Sequence, residues 1–590
     1  MKTLIVALNS KYIHSSLAPW YLKASCGEEP GEITIKEFTI NDSIDSILSD
    51  IYRGKADLVA FSCYIWNIDI VLKIAENLKK ICPGIKVALG GPEVSFDSVQ
   101  ILERYTFIDY VIIGEGESVF KHLLIAEKFD KRDGLYGIKG LTARINGKVY
   151  SNTEYQMIND LDSIPSPYTS EMIFSLNKRI VYYESSRGCP FSCTYCLSST
   201  FDGVRYFSMD RVEEDLNRLI EAGVAQIKFV DRTFNCNRNR AKQIFKFIIQ
   251  KSRSGIKTNF HFEVAADLFD DEMIEILKNA PEGLIQFEIG VQTTNEETFE
   301  VINRKTNLVK LFENTNRLKM LGNIHIHMDL IAGLPGEGMN SFKNSFNEAY
   351  SIKPHQLQLG FLKLLKGSSI RERAGEYDYI FKEYAPYEIL SNKYIGFNEI
   401  LSLKELEEMV ERYYNSGRFI HILEYIMNRL FMSAFEFYEH LSAYYRTKGF
   451  MNKPPSSRTL YSILYDFLKD IAPDRKGFIN EILKLDFLSS DNSNNLPEGI
   501  EREVMQGFKE WCFDFLKSEQ NISLYLPDFK GVPPKQIYKS VHFEIFSKDV
   551  LSELGISDLN RGKYVVLFNY SRRSRVTGLY EFKPIMESYL

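Results

Sequence analysis

Residues 188–196 read Gly188-Cys189-Pro190-Phe191-Ser192-Cys193-Thr194-Tyr195-Cys196, three cysteines in a Cys-x3-Cys-x2-Cys spacing. That spacing supplies three thiolates and no fourth. A cubane iron–sulfur cluster held by three thiolates keeps one iron open, and an open iron can be chelated by the amino and carboxylate groups of S-adenosylmethionine. A zinc site, a disulfide pair and buried structural thiols are the competing readings. Structural zinc closes with four ligands, usually as two separated pairs, and no second Cys or His pair lies near this run. The other five of the eight cysteines, Cys26, Cys63, Cys82, Cys236 and Cys512, are scattered. With no secretory signal ahead of them, they suggest a reducing, cytoplasmic setting rather than a disulfide framework.

Outward from the cysteines, short apolar runs alternate with helical patterns. Strands are expected at 180–185, 226–230, 259–265, 283–290, 325–331 and 356–361, with helices between them. Six such alternations predict a partial (β/α)6 barrel over 176–370, with its chemistry at the carboxyl ends of the strands. The cysteine loop follows the first of them. Upstream, the runs 3–9, 32–40, 58–64, 87–91 and 110–114 alternate with amphipathic stretches such as 70–81. This pattern predicts an α/β, doubly wound (Rossmann-like) domain over 1–135, whose ligand loops again follow the strands. A linker is expected over 136–175, where Pro165 and Pro167 interrupt regular structure. Beyond 370 the alternation stops, and 371–590 reads as a mainly helical accessory domain that would set substrate choice. Its aromatic stripe at 431–445 reads as helical core, with one helix expected over 420–445.

Composition excludes little. The net charge of −6 argues against a uniformly basic nucleic-acid binder but leaves room for one basic face. Arg572, Arg573 and Arg575 are the best candidate for such an anion patch, a solvated terminal strand being the alternative. No uninterrupted apolar run approaches the ~18 residues of a membrane helix, so no membrane is expected.

The cysteine run resembles the signature of the radical S-adenosylmethionine (SAM) enzymes. The loops Ser62, Gly90-Gly91-Pro92 and Gly114-Glu115-Gly116-Glu117, placed ahead of it, resemble the cobalamin-binding domain of B12-dependent radical enzymes, in the subgroup with an accessory domain after the barrel. The resemblance implies a 4Fe–4S cluster on Cys189, Cys193 and Cys196. It also implies SAM contacts from Asp231 and Glu263 at strand ends, Glu288 and Gln292 toward the ribose, Arg304 toward the methionine carboxylate, and Tyr195 beside the adenine. Cys236 reads as a packed thiol or a helper at the radical site. Cobalamin contacts would come from Asn9, Ser10 and Tyr12 after the first strand and from Ser62, Tyr64, Trp66 and Asn67 after the third. Gly90, Gly91, Pro92 and Glu93 would follow the fourth, and Gly114, Glu115 and Gly116 the fifth. Domains that ligate cobalt with histidine carry Asp-x-His-x-x-Gly after the first strand. Here the sequence is Asn9-Ser10-Lys11-Tyr12-Ile13-His14, so base-off cobalamin without a histidine lower ligand is expected.

The expected function is transfer of a methyl group to an unactivated carbon by a 5′-deoxyadenosyl radical and methylcobalamin. A flavodoxin- or ferredoxin-type electron donor is the implied partner, with a tRNA, a small molecule or a peptide as substrate. The alternatives are a tRNA adenosine methylthiotransferase, a radical rearrangement or cyclisation with the same cofactors, and a cobalamin-binding sensor without catalysis.

Overall fold

Apolar residues run almost unbroken along β1 (Lys2–Asn9) because both faces of that strand are covered. Leu4, Val6 and Leu8 enter one core layer and Ile5 the other. In this computed structural model, β1 pairs in parallel with β2 (Glu32–Thr39) and β3 (Leu58–Ser62). Next come β4 (Lys86–Gly90) and β5 (Tyr110–Ile112), giving the order β2-β1-β3-β4-β5. Strand order reverses direction at β1/β3, which opens the crevice where ligands bind in doubly wound sheets. The residues described are 1–590 except 131, 155–156, 177–178, 201–202, 494, 548–549, 557–562 and 586–590. Asn494, in a turn-rich stretch of the last third, therefore lies outside them.

The sheet extends further than expected. Residues 141–152, anticipated as linker, form a hairpin of β6 (Leu141–Ile145) and β7 (Lys148–Asn152) that continues the sheet antiparallel to β5. Its turn is Asn146-Gly147, with φ of 51° and 78°. Positive φ at both central positions is the type I′ geometry that matches strand twist, and Asn-Gly is its preferred sequence.

The second sheet comprises β8 (Val181–Tyr183), β11 (Gln226–Phe229), β12 (Asn259–Val264), β13 (Ile285–Gln292), β14 (Ile324–Ala332) and β15 (Gln356–Phe361). All are parallel and in sequential order, the partial barrel that the alternation predicts. A small antiparallel pair, β9 (Ser186–Gly188) and β10 (Val204–Tyr206), brackets the cysteine loop. Two-residue periodicity sorts the barrel's side chains. Phe229, Phe262 and Phe287 pack outward under the helices, while Lys228, His261 and Glu288 of the same strands meet inside the barrel.

The C-terminal domain has helices at Phe397–Met409, Ile420–Arg429, Ala434–Lys448, Ser457–Ile471 and Lys476–Ser490, and an antiparallel sheet of Val541–Phe546, Tyr564–Arg573 and Tyr580–Pro584. The single helix expected over 420–445 is two. The Ser433 hydroxyl accepts from Glu436 N at 3.2 Å and starts the second one. The aromatic stripe is core: Phe437, Tyr438 and Tyr445 are fully buried. Among the described residues, no helix is long and apolar enough to cross a membrane.

Candidate functional site

Loops beyond the carboxyl ends of the first sheet meet the barrel at three sets of contacts, one at the start of β8 and two beyond the carboxyl ends of barrel strands. At the first, Ile180 N donates to Ile13 O at 2.8 Å, and the Tyr182 hydroxyl lies 2.8 Å from His14 Nδ1. At the second, Lys366, beyond β15, reaches Glu93 Oε1 at 3.1 Å and Asp97 Oδ2 at 2.8 Å, and the Tyr387 hydroxyl also donates to Glu93. At the third, Arg187 of β9 donates to Glu117 at 2.8 Å and to Glu184 at 2.9 Å, and Arg205 of β10 holds Glu115.

These contacts reassign several residues expected to touch a corrin. Glu93 is buried and paired with the barrel, and Glu115 is consumed by Arg205, Arg187 and Ile158 N. Burial would raise the Glu115 carboxyl, but the two guanidiniums hold it below the ordinary range. Asn67 is fully buried: its amide donates to Leu8 O and Ser62 O and accepts from Tyr64 N, which shapes the β3 loop from inside. Asn9 is likewise spent on His14 O and Glu37.

Other loop residues stay open to a ligand. Tyr12 is exposed with Arg179 over its ring, and Ser10, beside it, is half-buried. Tyr64 and Trp66 stack at 4.4 Å and 5° on the β3 loop, with the Trp66 indole N–H anchored to Leu8 O. Ser62 Oγ is buried without a partner among the described residues. Gly91 has φ 116°, and a Cβ there would sit 2.5 Å from Cys63 O. Only glycine allows this turn. Pro92 opens the short helix that follows; Gly114 (φ 72°) and Gly116 carry the β5 loop. An orphaned hydroxyl beside a glycine cradle, beyond the carboxyl ends of β3 and β4, fits a polar ligand tail.

On the barrel side, Cys189, Cys193 and Cys196 lie on the loop between β9 and β10. Cys189 Sγ is 3.6 Å from Thr233 Oγ1, and burial raises the Cys193 thiol despite the nearby Arg304 guanidinium. The loop is pinned from two sides: Thr194 N donates to Ile302 O, and Ile370 N donates to Thr194 O, both at 3.0 Å. Three free thiols on a pinned loop, one for each of three irons, fit a cubane with an open corner.

Beside the loop, a cavity of about 180 Å³ brings together Glu263, Glu288, Gln292 and Arg304 with Arg232 and Asp329. Gln292 sits on a bulge in β13 with φ 71°, its Oε1 buried and without a partner among the described residues. Arg304 donates to Gly290 O at 2.5 Å and to the Tyr195 hydroxyl at 3.3 Å, so it underlies the cysteine loop rather than lying at the surface. Burial pushes the Glu263 carboxyl up to about 7 against the pull of Arg232. Burial acts in the same direction on Glu288, but His261 and Lys228, hydrogen-bonded at 3.0 and 2.9 Å, bring it far below the ordinary carboxylate range.

Asp231 is not in this group. Its carboxylate accepts from Ser185 N, Ser185 Oγ and Ser186 Oγ, and it is buried at the β8 seam. Cys236 lies 3.4 Å from the Tyr206 hydroxyl. Sequence reasoning missed Arg232 and the Lys228–His261 pair. The alternation that puts polar residues on inward positions of β11 and β12 was the available signal.

A doubly wound module with a glycine cradle beyond the carboxyl ends of its strands, beside a parallel barrel that presents a three-cysteine loop, is the architecture of a cobalamin-binding radical SAM protein. Residues 3–124 match the B12 binding domain and 183–349 the Radical SAM superfamily. The chain thus carries both domains in tandem, followed by residues 375–568, which match a domain described only as a protein of unknown function, DUF4080. The cobalamin-dependent radical SAM methyltransferase TokK of Streptomyces tokunonensis is 24% identical over 312 residues, covering 51% of this chain and 46% of TokK. The 2-(S-pantetheinyl)-carbapenam-3-carboxylate methyltransferase of Streptantibioticus cattleyicolor is 26% identical over 316 residues, with the same coverage. The chain thus spans about half the length of these relatives. OxsB, solved with aqua-cobalamin and SAM bound, superposes with a TM-score of 0.57 at 15% identity over 83% of this chain and 79% of that one. TsrM from Kitasatospora setae, solved with tryptophan and a SAM analogue, gives 0.51 at 16% over 63% and 77%. At these identities the likeness establishes the fold.

Proposed function

We propose that this protein is an enzyme that transfers a methyl group to an unactivated carbon of its substrate. The observation that carries this reading is the juxtaposition of two ligand-ready surfaces: the pinned thiol loop with its carboxylate- and amide-lined cavity, and the Ser62–Gly91 cradle across the interface. The names of the relatives, methyltransferases that include a cobalamin-dependent one and a hopanoid C-3 methylase of Methylococcus capsulatus, support it. When bound, the cluster with SAM would supply hydrogen-abstracting radical chemistry, and cobalamin would supply the transferable methyl group.

The chain's own residues prepare that chemistry. Cys189, Cys193 and Cys196 provide the three thiolates. Gln292 and Glu288 offer acceptors to ribose hydroxyls, and Arg304 offers its guanidinium to the methionine carboxylate. Glu263 faces the same cavity as an acceptor for the SAM amine. The Tyr64–Trp66 stack would offer an aromatic surface to the cobalamin ring. His14 is engaged with Tyr182, and no other histidine lies on the β1 loop, which supports base-off cobalamin without a protein lower ligand. The three sets of interface contacts hold the two domains together around the space where water and oxygen must be kept out. A flavodoxin- or ferredoxin-type protein would supply the electrons, and the substrate is a small molecule, a peptide or a tRNA.

The test is anaerobic reconstitution of the full chain with iron, sulfide and cobalamin, followed by reduction with SAM. Cys193→Ala should abolish 5′-deoxyadenosine formation while cobalamin stays bound. Cleavage that survives the substitution would refute the cluster assignment. Mass-resolved comparison of RNA and metabolites between wild-type and deletion strains then identifies the methylated product.

A further inference from the structure

In the C-terminal domain, a second pocket of about 210 Å³ forms where four segments meet: the loop Ser416–Arg418, the first turn of helix Ser457–Ile471, the end of helix Lys476–Ser490, and the turn after strand Tyr564–Arg573. Arg418, Arg458 and Arg573 line it. None of the three has a carboxylate partner among the described residues. Arg458 donates to Ser493 Oγ and lies 5.4 Å from the centre of the Phe487 ring, and Arg573 Nε donates to Gly578 O, which leaves most of their N–H groups uncommitted.

The pocket is built, not incidental. Tyr461 OH bridges Arg418 O and Ser490 Oγ beneath it. A register shift between Asn569 and Arg573 re-aims the end of the strand, as bulges do. Gly417 has φ 66°, and a Cβ there would meet Thr577 O at 3.5 Å. The neighbouring arginines of the sequence motif go elsewhere. Arg572 pairs with Asp528 at 2.8 Å, and Arg575 donates to Lys257 O. The anion patch expected from sequence is therefore not a terminal run. One of its members joins two arginines more than 100 residues upstream.

We propose that this pocket binds a phosphomonoester group. Three guanidiniums against the single carboxylate of Asp491 leave a formal charge of about +2. A phosphomonoester carries about −1.5 to −2 at neutral pH and three strong acceptor oxygens. Guanidinium forks match those oxygens in pairs, and the hydroxyls of Ser457 and Thr577 with the N-terminus of a 15-residue helix add further donors. A carboxylate would leave several of these donors idle. The volume is below the ~300–1,000 Å³ of clefts that enclose whole drug-sized ligands, so a headgroup fits rather than an entire metabolite. Ser574 and Arg575 contact Glu282 and Lys257, which precede β13 and β12. The pocket thus lies toward the amino-terminal rim of the barrel, away from the cysteine loop, and the group it holds is not the one that reacts.

Calorimetric titration of the full chain with inorganic phosphate, at ionic strength held constant with chloride, tests this. Saturable binding is expected. Arg418→Gln and Arg573→Gln should each weaken it about tenfold or more, as loss of a charge-assisted hydrogen bond does. Binding should also be weaker at pH 5.5 than at pH 8, as the dianion is lost. Arg573 is exposed at the end of its strand, so its variant keeps the test valid if Arg418→Gln fails to fold. Absence of saturable binding, or binding that Arg573→Gln leaves unchanged, overturns the proposal. So does bulk tRNA that displaces phosphate from this site better than a simple phosphomonoester does, because that identifies a nucleic-acid backbone track instead.

Discussion

Replacing Arg187 by Met keeps the bulk of the side chain and removes the one cation that serves three carboxylates at the domain interface. Arg187 donates to Glu184 through Nε and Nη2, both at 2.9 Å, to Glu117 at 2.8 Å, and stands 3.6 Å from Glu115. Its side chain is 16% exposed, and Glu184 and Glu117 are 13% and 9% exposed. After the change Glu115 keeps Arg205, but Glu117 and Glu184 are left buried and uncompensated. Removing one partner of a buried pair costs about 3–5 kcal/mol. The residual exposure places this case near the lower end, about 3 kcal/mol, which raises the population of an opened interface roughly a hundredfold.

The pH dependence has a definite sign. Burial, partly offset by Arg187, already holds the Glu184 carboxyl above its ordinary value, and without the guanidinium it rises further. A carboxyl raised in the folded state contributes stability that is fully present below its unfolded pKa and is lost as pH rises through the folded one. The variant's deficit should therefore be largest at pH 8 and shrink toward pH 5. Limited proteolysis under conditions where cleavage follows the open population reads this directly. Cleavage within threefold of wild type at pH 8, or a deficit that grows on acidification, would refute the reasoning.

Three further outcomes are expected. Gly91→Ala forces a Cβ to within 2.5 Å of Cys63 O at φ 116°, a strain of about 1–3 kcal/mol, and the purified protein should lose cobalamin; full retention would show that the cradle does not bind it. Glu263, held at about 7 by burial, makes the folded chain lose stability as pH rises from about 4.5 through 7, so Glu263→Gln should flatten the melting temperature between pH 5 and 8, and an unchanged slope would count against it. Gly290→Ala would place a Cβ 2.3 Å from Gln292 Nε2 and 3.6 Å from Arg304 Nη2, and should weaken SAM binding by about tenfold or more while leaving cobalamin in place; equal SAM affinity would separate that cavity from the cofactor.

The strands were legible because burial on both faces writes itself as continuous apolar runs. All five parallel strands of the first domain and all six of the barrel lie within a few residues of where the alternation places them. The departures have local causes. The 141–152 hairpin carries an Asn-Gly turn signal within a stretch otherwise read from its prolines as linker. The break after Arg429 depends on a single serine cap inside an aromatic run that suits a helix on either side.

The site divides along a different line. Glycines are read locally: Gly91 and Gly114 adopt positive-φ conformations that glycine favours. The acids beside them are not. Glu93 finds Tyr387 294 residues away, and Glu115 finds Arg205 90 residues away. A glycine's role follows from its own φ, whereas a carboxylate's follows from whichever cation the tertiary fold delivers, and that is set by the reach of the barrel loops. The same logic makes Asp231 a strand staple and Arg232, its neighbour, a cavity residue, since successive residues leaving a strand point to opposite sides. In loops that also serve a domain interface, sequence therefore locates the backbone turns and leaves the charged contacts to be assigned by geometry.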